Sequence, residues 1–92
     1  MSELFQNNKE ASRYELIKEG ETAYADYTLE PPHLVISYVF APDALRGTGA
    51  ESTLMRHIAE AAKANNMTIT PQCGYAAAWL RKHKDYSHLV AE

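Results

Sequence analysis

Apolar and polar residues alternate over residues 12–18, which sets Tyr14 and Leu16 on one face of a strand. Glu19-Gly20 then marks a turn. Alternation resumes over residues 21–30, with Ala23, Ala25, Tyr27 and Leu29 on one face, so the two segments read as a hairpin. Pro31-Pro32 stops the second strand, because proline cannot donate to a ladder. Residues 33–41 are dense in β-branched and aromatic side chains, a pattern expected of a strand buried on both faces.

The period then changes. Over residues 50–65, Leu54, Ile58, Ala61 and Ala62 fall on one helical stripe with Met55 beside it, while Glu51, Arg56, Glu60 and Lys63 lie elsewhere. Asn65-Asn66 is a stop signal. Residues 67–70 read as a short strand ended by Pro71, and residues 75–83 as a second helix with Tyr75/Trp79 and Ala76/Leu80 at i, i+4 spacing. The tail, residues 84–92, keeps Leu89 and Val90 as apolar anchors. Residues 1–11 are polar without a period and read as a flexible tail or an edge segment. The predicted order is β-β-β-α-β-α, an α+β fold. Its sheet is mixed and mainly antiparallel, with helices packed on it and one right-handed parallel β-α-β crossover.

Length and charge narrow the class. Ninety-two residues make a single domain, 1–92. Nine Lys+Arg against twelve Asp+Glu leave a net charge of −3, so there is no basic surplus to recognise nucleic acid. No apolar run approaches the roughly 20 residues that span a bilayer, so no membrane partner is expected. The N-terminus lacks a basic segment followed by an apolar one, which argues against a signal peptide. One cysteine cannot form an internal disulfide, and a cytoplasmic, reducing location is expected.

Two places carry candidate chemistry. Arg46-Gly47-Thr48-Gly49-Ala50 lies between a strand and a helix start. Unpaired amides and the dipole there favour an anion, glycines allow close approach, and Arg46 suits phosphate oxygens. The spacing fits neither a Walker loop nor the dinucleotide fingerprint, and an ordinary glycine turn stays open. Cys73 follows the last strand and precedes the second helix, where a helix N-terminus lowers a thiol pKa; a buried, inert thiol is the alternative. Both lie at strand C-terminal ends, where open α/β sheets bind ligands. The four histidines show no metal-ligand spacing, so no metal site is expected. His83, ten residues after Cys73, reads as a helix-end histidine, with pairing to Cys73 as the weaker reading.

Together two segments resemble a known family. Residues 39–50, Val39 to Ala50, resemble the acyl-CoA loop of the GNAT acetyltransferase superfamily. Ile69-Thr70-Pro71-Gln72-Cys73-Gly74-Tyr75, followed by Arg81-Lys82-His83-Lys84-Asp85-Tyr86, resembles its minimal single-domain branch. The resemblance implies an acetyl-CoA-dependent N-acetyltransferase. It places the CoA pyrophosphate on Arg46, Gly47, Thr48, Gly49 and Ala50. It sets the pantetheine arm along Val39, Phe40 and Ala41, Tyr75 with the cofactor, and Cys73 near the acetyl group. The implied acceptor is an amine, on a small molecule or a peptide. The chain departs from the pattern in several places. Glu51 stands where a small residue is usual, Tyr38 for a frequent His, Phe40 for a frequent acid, Gln72 for an apolar residue and Gly74 for a frequent Pro. With no strand carboxylate to act as base, the resemblance leaves both a direct and a Cys73-acetyl route. A CoA-binding or partner-binding module without turnover is the rival reading, and a thiol enzyme pairing Cys73 with His83 a third. A monomer or weak homodimer is expected, since so short a sheet leaves an edge exposed.

Overall fold

The computed structural model describes residues 3–91; Met1, Ser2 and Glu92, parts of the N-terminal and C-terminal tails read from the sequence, lie outside them. Five strands form one sheet in chain order: β1 (Glu3–Asn8), β2 (Arg13–Lys18), β3 (Glu21–Glu30), β4 (His33–Phe40) and β5 (Thr68–Pro71). The first four make an antiparallel meander. Helix α1 (Ala50–Ala64) carries the chain across to β5, which pairs with β4 in parallel. Helix α2 (Gly74–Lys82) and a 3₁₀ turn at Ser87–Leu89 complete the fold. This is the expected α+β architecture with one addition, because the N-terminal segment forms a full edge strand. Its alternation is weak because β1 is held mostly by polar groups. Gln6 and Asn8 donate to the Glu15 carboxylate at 2.7 and 3.1 Å. One ring, Phe5, supplies its apolar anchor, stacked between Tyr14 and His57 at 5.5 and 4.7 Å.

A single core holds the molecule together. Leu16, Leu34, Ile36 and Ile69 of the sheet meet Leu54, Met55, Ile58 and Leu80 of the helices, all with no exposed surface. Each such side chain contributes roughly 1.5–3 kcal/mol when fully buried. The stripe of α1 differs slightly from expectation: Ala59 is buried and Ala61 only half-buried. The helix ends at Asn65, as anticipated, where the side-chain amide donates to the Ala61 carbonyl at 2.7 Å. Leu89 is buried and Val90 bridges to Ile69, so the tail is anchored as read. Among the described residues no helix is long and apolar enough to cross a membrane.

β4 is not buried on both faces. The buried residues of α1 and α2 join the same cluster as the inward side chains of the sheet, so both helices cover one face. On the other face Val35 is buried but Tyr38 is 49% exposed. A β-bulge explains the pattern. Asp26 pairs with Tyr38 and Tyr27 with Ile36, which leaves Ser37 as an extra residue. Its hydroxyl donates to the Asp26 carbonyl at 3.2 Å. The extra residue restarts the alternation. Leu34 and Ile36 point inward before the bulge, and Val39 and Ala41 after it, so Tyr38 and Phe40 face outward.

Candidate active site

The crossover from β4 to β5 builds the site. The parallel ladder runs from His33/Thr68 to Ile36/Pro71 and stops there. Pro71 has no amide hydrogen, and the chain turns away; the Gln72 and Cys73 amides both donate to the Ile36 carbonyl, at 2.9 and 3.2 Å. Past Ile36, β4 pairs only with β3, so the edge of Tyr38, Val39 and Phe40 that faces away from β3 carries no strand. Backbone groups on that edge, having no strand partner, can pair with an extended ligand.

At the end of this edge the chain forms a 3₁₀ turn, Asp43–Leu45, and then the glycine loop. Gly47 and Gly49 take φ of 81° and 82°, the left-handed region that glycine reaches without strain. Gly49 caps α1 with no side-chain bond to the helix amides. Thr48 fills part of that role. Its hydroxyl donates to the Leu45 carbonyl at 2.6 Å and accepts from the Ala50 amide at 3.3 Å. Among the described residues the amides of Gly47, Gly49, Glu51 and Ser52 have no partner. Four free donors at a helix N-terminus suit a phosphate or pyrophosphate. A Cβ added to either glycine would meet nothing within 4 Å, so the approach to these amides is open. Arg46 is exposed and its Nε sits 3.2 Å from Asp43 Oδ1. The pair is weak at such exposure, and the guanidinium can turn to an arriving phosphate.

Cys73 caps α2 just beyond the end of β5, half-buried against the core. Its carbonyl accepts from Ala77 at 3.0 Å, which fixes the start of the helix beneath it. Tyr75, in the first turn of α2, is 37% exposed. Burial, and next the charge of Glu51, push its phenol above the ordinary value, while the Ser52 hydroxyl opposes them. Tyr75 therefore keeps its proton at neutral pH, where its hydroxyl can donate a hydrogen bond. Ser52 also accepts from Trp79 Nε1 at 2.8 Å, which joins the first turn of α1 to α2. Ser52 and Trp79 carry no motif signal; only the tertiary packing of two helix faces brings them together.

The expected residues are thus gathered on one edge of the sheet: Val39, Phe40 and Ala41 lead into Arg46, Gly47, Thr48, Gly49 and Ala50, with Cys73 and Tyr75 beyond the end of β5. His83 is not among them. It stands at the far end of α2, nine residues long and so roughly 13 Å. Its ring stacks on Trp79 at 3.9 Å, with Nδ1 2.8 Å from the Trp79 carbonyl. A Cys73–His83 pair is thereby ruled out, and the thiol-enzyme reading with it.

A strand edge left open by a departing parallel strand, followed by a glycine-capped helix, can hold an extended ligand with an anionic end. The chain belongs to the GCN5-related N-acetyl-transferase family, whose model matches residues 13–89. No curated protein matches the chain.

Proposed function

We propose that the protein is an acetyl-CoA-dependent N-acetyltransferase that moves an acetyl group to an amine. The observation that carries this reading is the set of unpartnered amides at Gly47, Gly49, Glu51 and Ser52, next to the unpaired edge of β4, in a chain of this family. The donor set fits a pyrophosphate, and Arg46 adds a cation at its rim. The backbone of Val39, Phe40 and Ala41 would hold the pantetheine arm by strand-like pairing. Bound there, acetyl-CoA supplies an activated acyl carbon on a thioester.

The chain's own residues do the rest. The open edge of β4 would orient the acyl carbon near Cys73, whose amide is bonded to the Ile36 carbonyl of that strand. The protonated Tyr75 hydroxyl would donate a hydrogen bond to the departing sulfur rather than transfer its proton. Cys73 is the residue we assign to acetyl transfer. Its sulfur bonds to the acyl carbon as the original carbon–sulfur bond breaks, with the thiol proton passing to the departing sulfur; the neutral amine then bonds to that carbon as the bond to Sγ breaks, and the proton lost from nitrogen restores the Cys73 thiol. The outward positions Tyr38 and Phe40 offer no carboxylate as base for a one-step transfer, which favours the Cys73 route.

The test is the intact mass of the reduced protein after incubation with acetyl-CoA. The expected result is one added acetyl group, absent in Cys73→Ser and removed by a primary amine. Unmodified protein that releases thiol only when an amine is present would assign direct transfer. Binding with neither event would leave a CoA-binding module without turnover.

A further inference from the structure

The sheet face turned away from the helices carries an aromatic cluster that the fold does not use. Tyr24 and Phe40 lie 5.2 Å apart between ring centroids, and Tyr38 lies 6.4 Å from each. None of the three belongs to the core cluster, and Tyr38 is half exposed. The bulge at Ser37 puts Tyr38 and Phe40 on this face, and both belong to the part of β4 whose edge is open. The rings therefore border the place where the acyl carbon is proposed to lie.

This face already holds one cation by its ring. The Arg13 guanidinium carbon sits 3.8 Å from the Tyr24 centroid. Arg13 Nε is 3.3 Å from Asp26 Oδ1 but out of line for a hydrogen bond, and it has no other partner. The ring contact and the charge of Asp26, not a hydrogen bond, keep it there. Asp26 neutralises Arg13. Glu15, directly opposite Tyr24 in the ladder, then remains as surplus negative charge, bonded only to the neutral amides of Gln6 and Asn8. An aromatic surface with a surplus carboxylate complements a cation.

Resting on the acetyltransferase reading above, we infer that Tyr38 and Phe40, backed by the Arg13-covered Tyr24, are the docking face for the acceptor, and that the acceptor is a cationic aliphatic amine. A ring face attracts an ammonium and gives no such preference to a neutral group of the same shape. The bound ammonium loses one proton to solvent across this open face. Its nitrogen then bonds to the acetyl carbon as the carbon–sulfur bond breaks. The second proton lost from nitrogen balances the sulfur.

The test uses choline, a cation that cannot be acetylated on nitrogen, and its uncharged isostere 3,3-dimethyl-1-butanol. Each is titrated into the full chain without acetyl-CoA while the amide resonances of Tyr24, Tyr38 and Phe40 are followed. Choline is expected to saturate these shifts, with the isostere weaker by about threefold or more. Tyr38→Ala, a half-exposed site that leaves the core intact, is expected to weaken choline similarly. Choline is also expected to compete with acetylation of lysine amide. Equal shifts with both ligands, or none, overturn the proposal. A chain that binds acetyl-CoA but not choline keeps the acetyltransferase reading and loses this acceptor face. A chain that binds choline but not acetyl-CoA loses the acetyltransferase reading, and the acceptor role with it. A dimer that Tyr38→Ala dissociates would assign the face to a second copy and also overturn the proposal.

Discussion

Trp79 Nε1 donates to the Ser52 hydroxyl at 2.8 Å, and through this bond the first turn of α1 is held against the middle of α2. One turn of α1 thereby carries free amides and anchors the helix that Cys73 caps. Anion loop and thiol are parts of one unit.

Ser52→Ala is expected to lower stability by about 1–2 kcal/mol, because the nearly buried indole N–H loses its acceptor. Urea denaturation measures this. No change would mean that the indole finds another acceptor and that the helices are held by apolar packing alone.

Gly49→Ala and Gly20→Ala separate backbone strain from ligand approach. Both glycines have φ near 80°, and a Cβ at either would stand in open space. Each substitution is expected to cost about 1 kcal/mol of stability. Only Gly49→Ala is expected to weaken acetyl-CoA binding, since Gly20 lies in the β2–β3 turn. Equal loss of affinity in both variants would remove the glycine loop from the site.

Glu51→Gln removes a negative charge from the first turn of α1. Acetyl-CoA binding is expected to tighten about twofold to fivefold at low ionic strength, with a smaller gain in high salt. The Tyr75 phenol should titrate lower, because the Glu51 charge is one of the causes that raise it. Calorimetry and tyrosinate absorbance read the two effects. Unchanged affinity would place the carboxylate away from the anion.

Three tyrosines hold their protons more tightly in the folded chain. Burial raises Tyr14, with the neighbouring Tyr27 adding to it. Burial also leads for Tyr75. For Tyr86 the leading cause is its hydrogen bond to Glu60, at 2.5 Å. A group whose folded pKa is raised contributes stability that is full below the unfolded value of 10.0 and is lost as pH rises through the folded one. Stability should therefore be steady across neutral pH on account of these groups and fall above pH 10. Tyr86→Phe should lessen that fall. An alkaline limb identical in the variant would contradict the assignment to Tyr86.

Most of the fold was legible in the sequence because its elements bury one clean face. Tyr14/Leu16, Ala23/Ala25 and the Leu54/Ile58 stripe are all core, as their spacing indicates. Two features were not legible, for different reasons. β1 is held by Gln6, Asn8 and one ring, so no hydrophobic period marks it. The bulge at Ser37 resets the alternation within β4, and a dense apolar run hides such a slip. That slip turns Tyr38 and Phe40 outward, where the sequence alone read them as buried. The candidate site was readable at its motif residues, Arg46 to Ala50 and Cys73. Its links through Ser52, Trp79 and Tyr75 arise only when α1 and α2 meet.

The most direct measurement is a calorimetric titration of acetyl-CoA into the reduced protein and into Arg46→Ala and Gly49→Glu, each first shown by circular dichroism to be folded. Saturable micromolar binding that both substitutions weaken is the predicted result. An absence of binding at millimolar acetyl-CoA, in a folded wild-type chain, would contradict a CoA site at the N-terminus of α1 and the acetyltransferase function built on it.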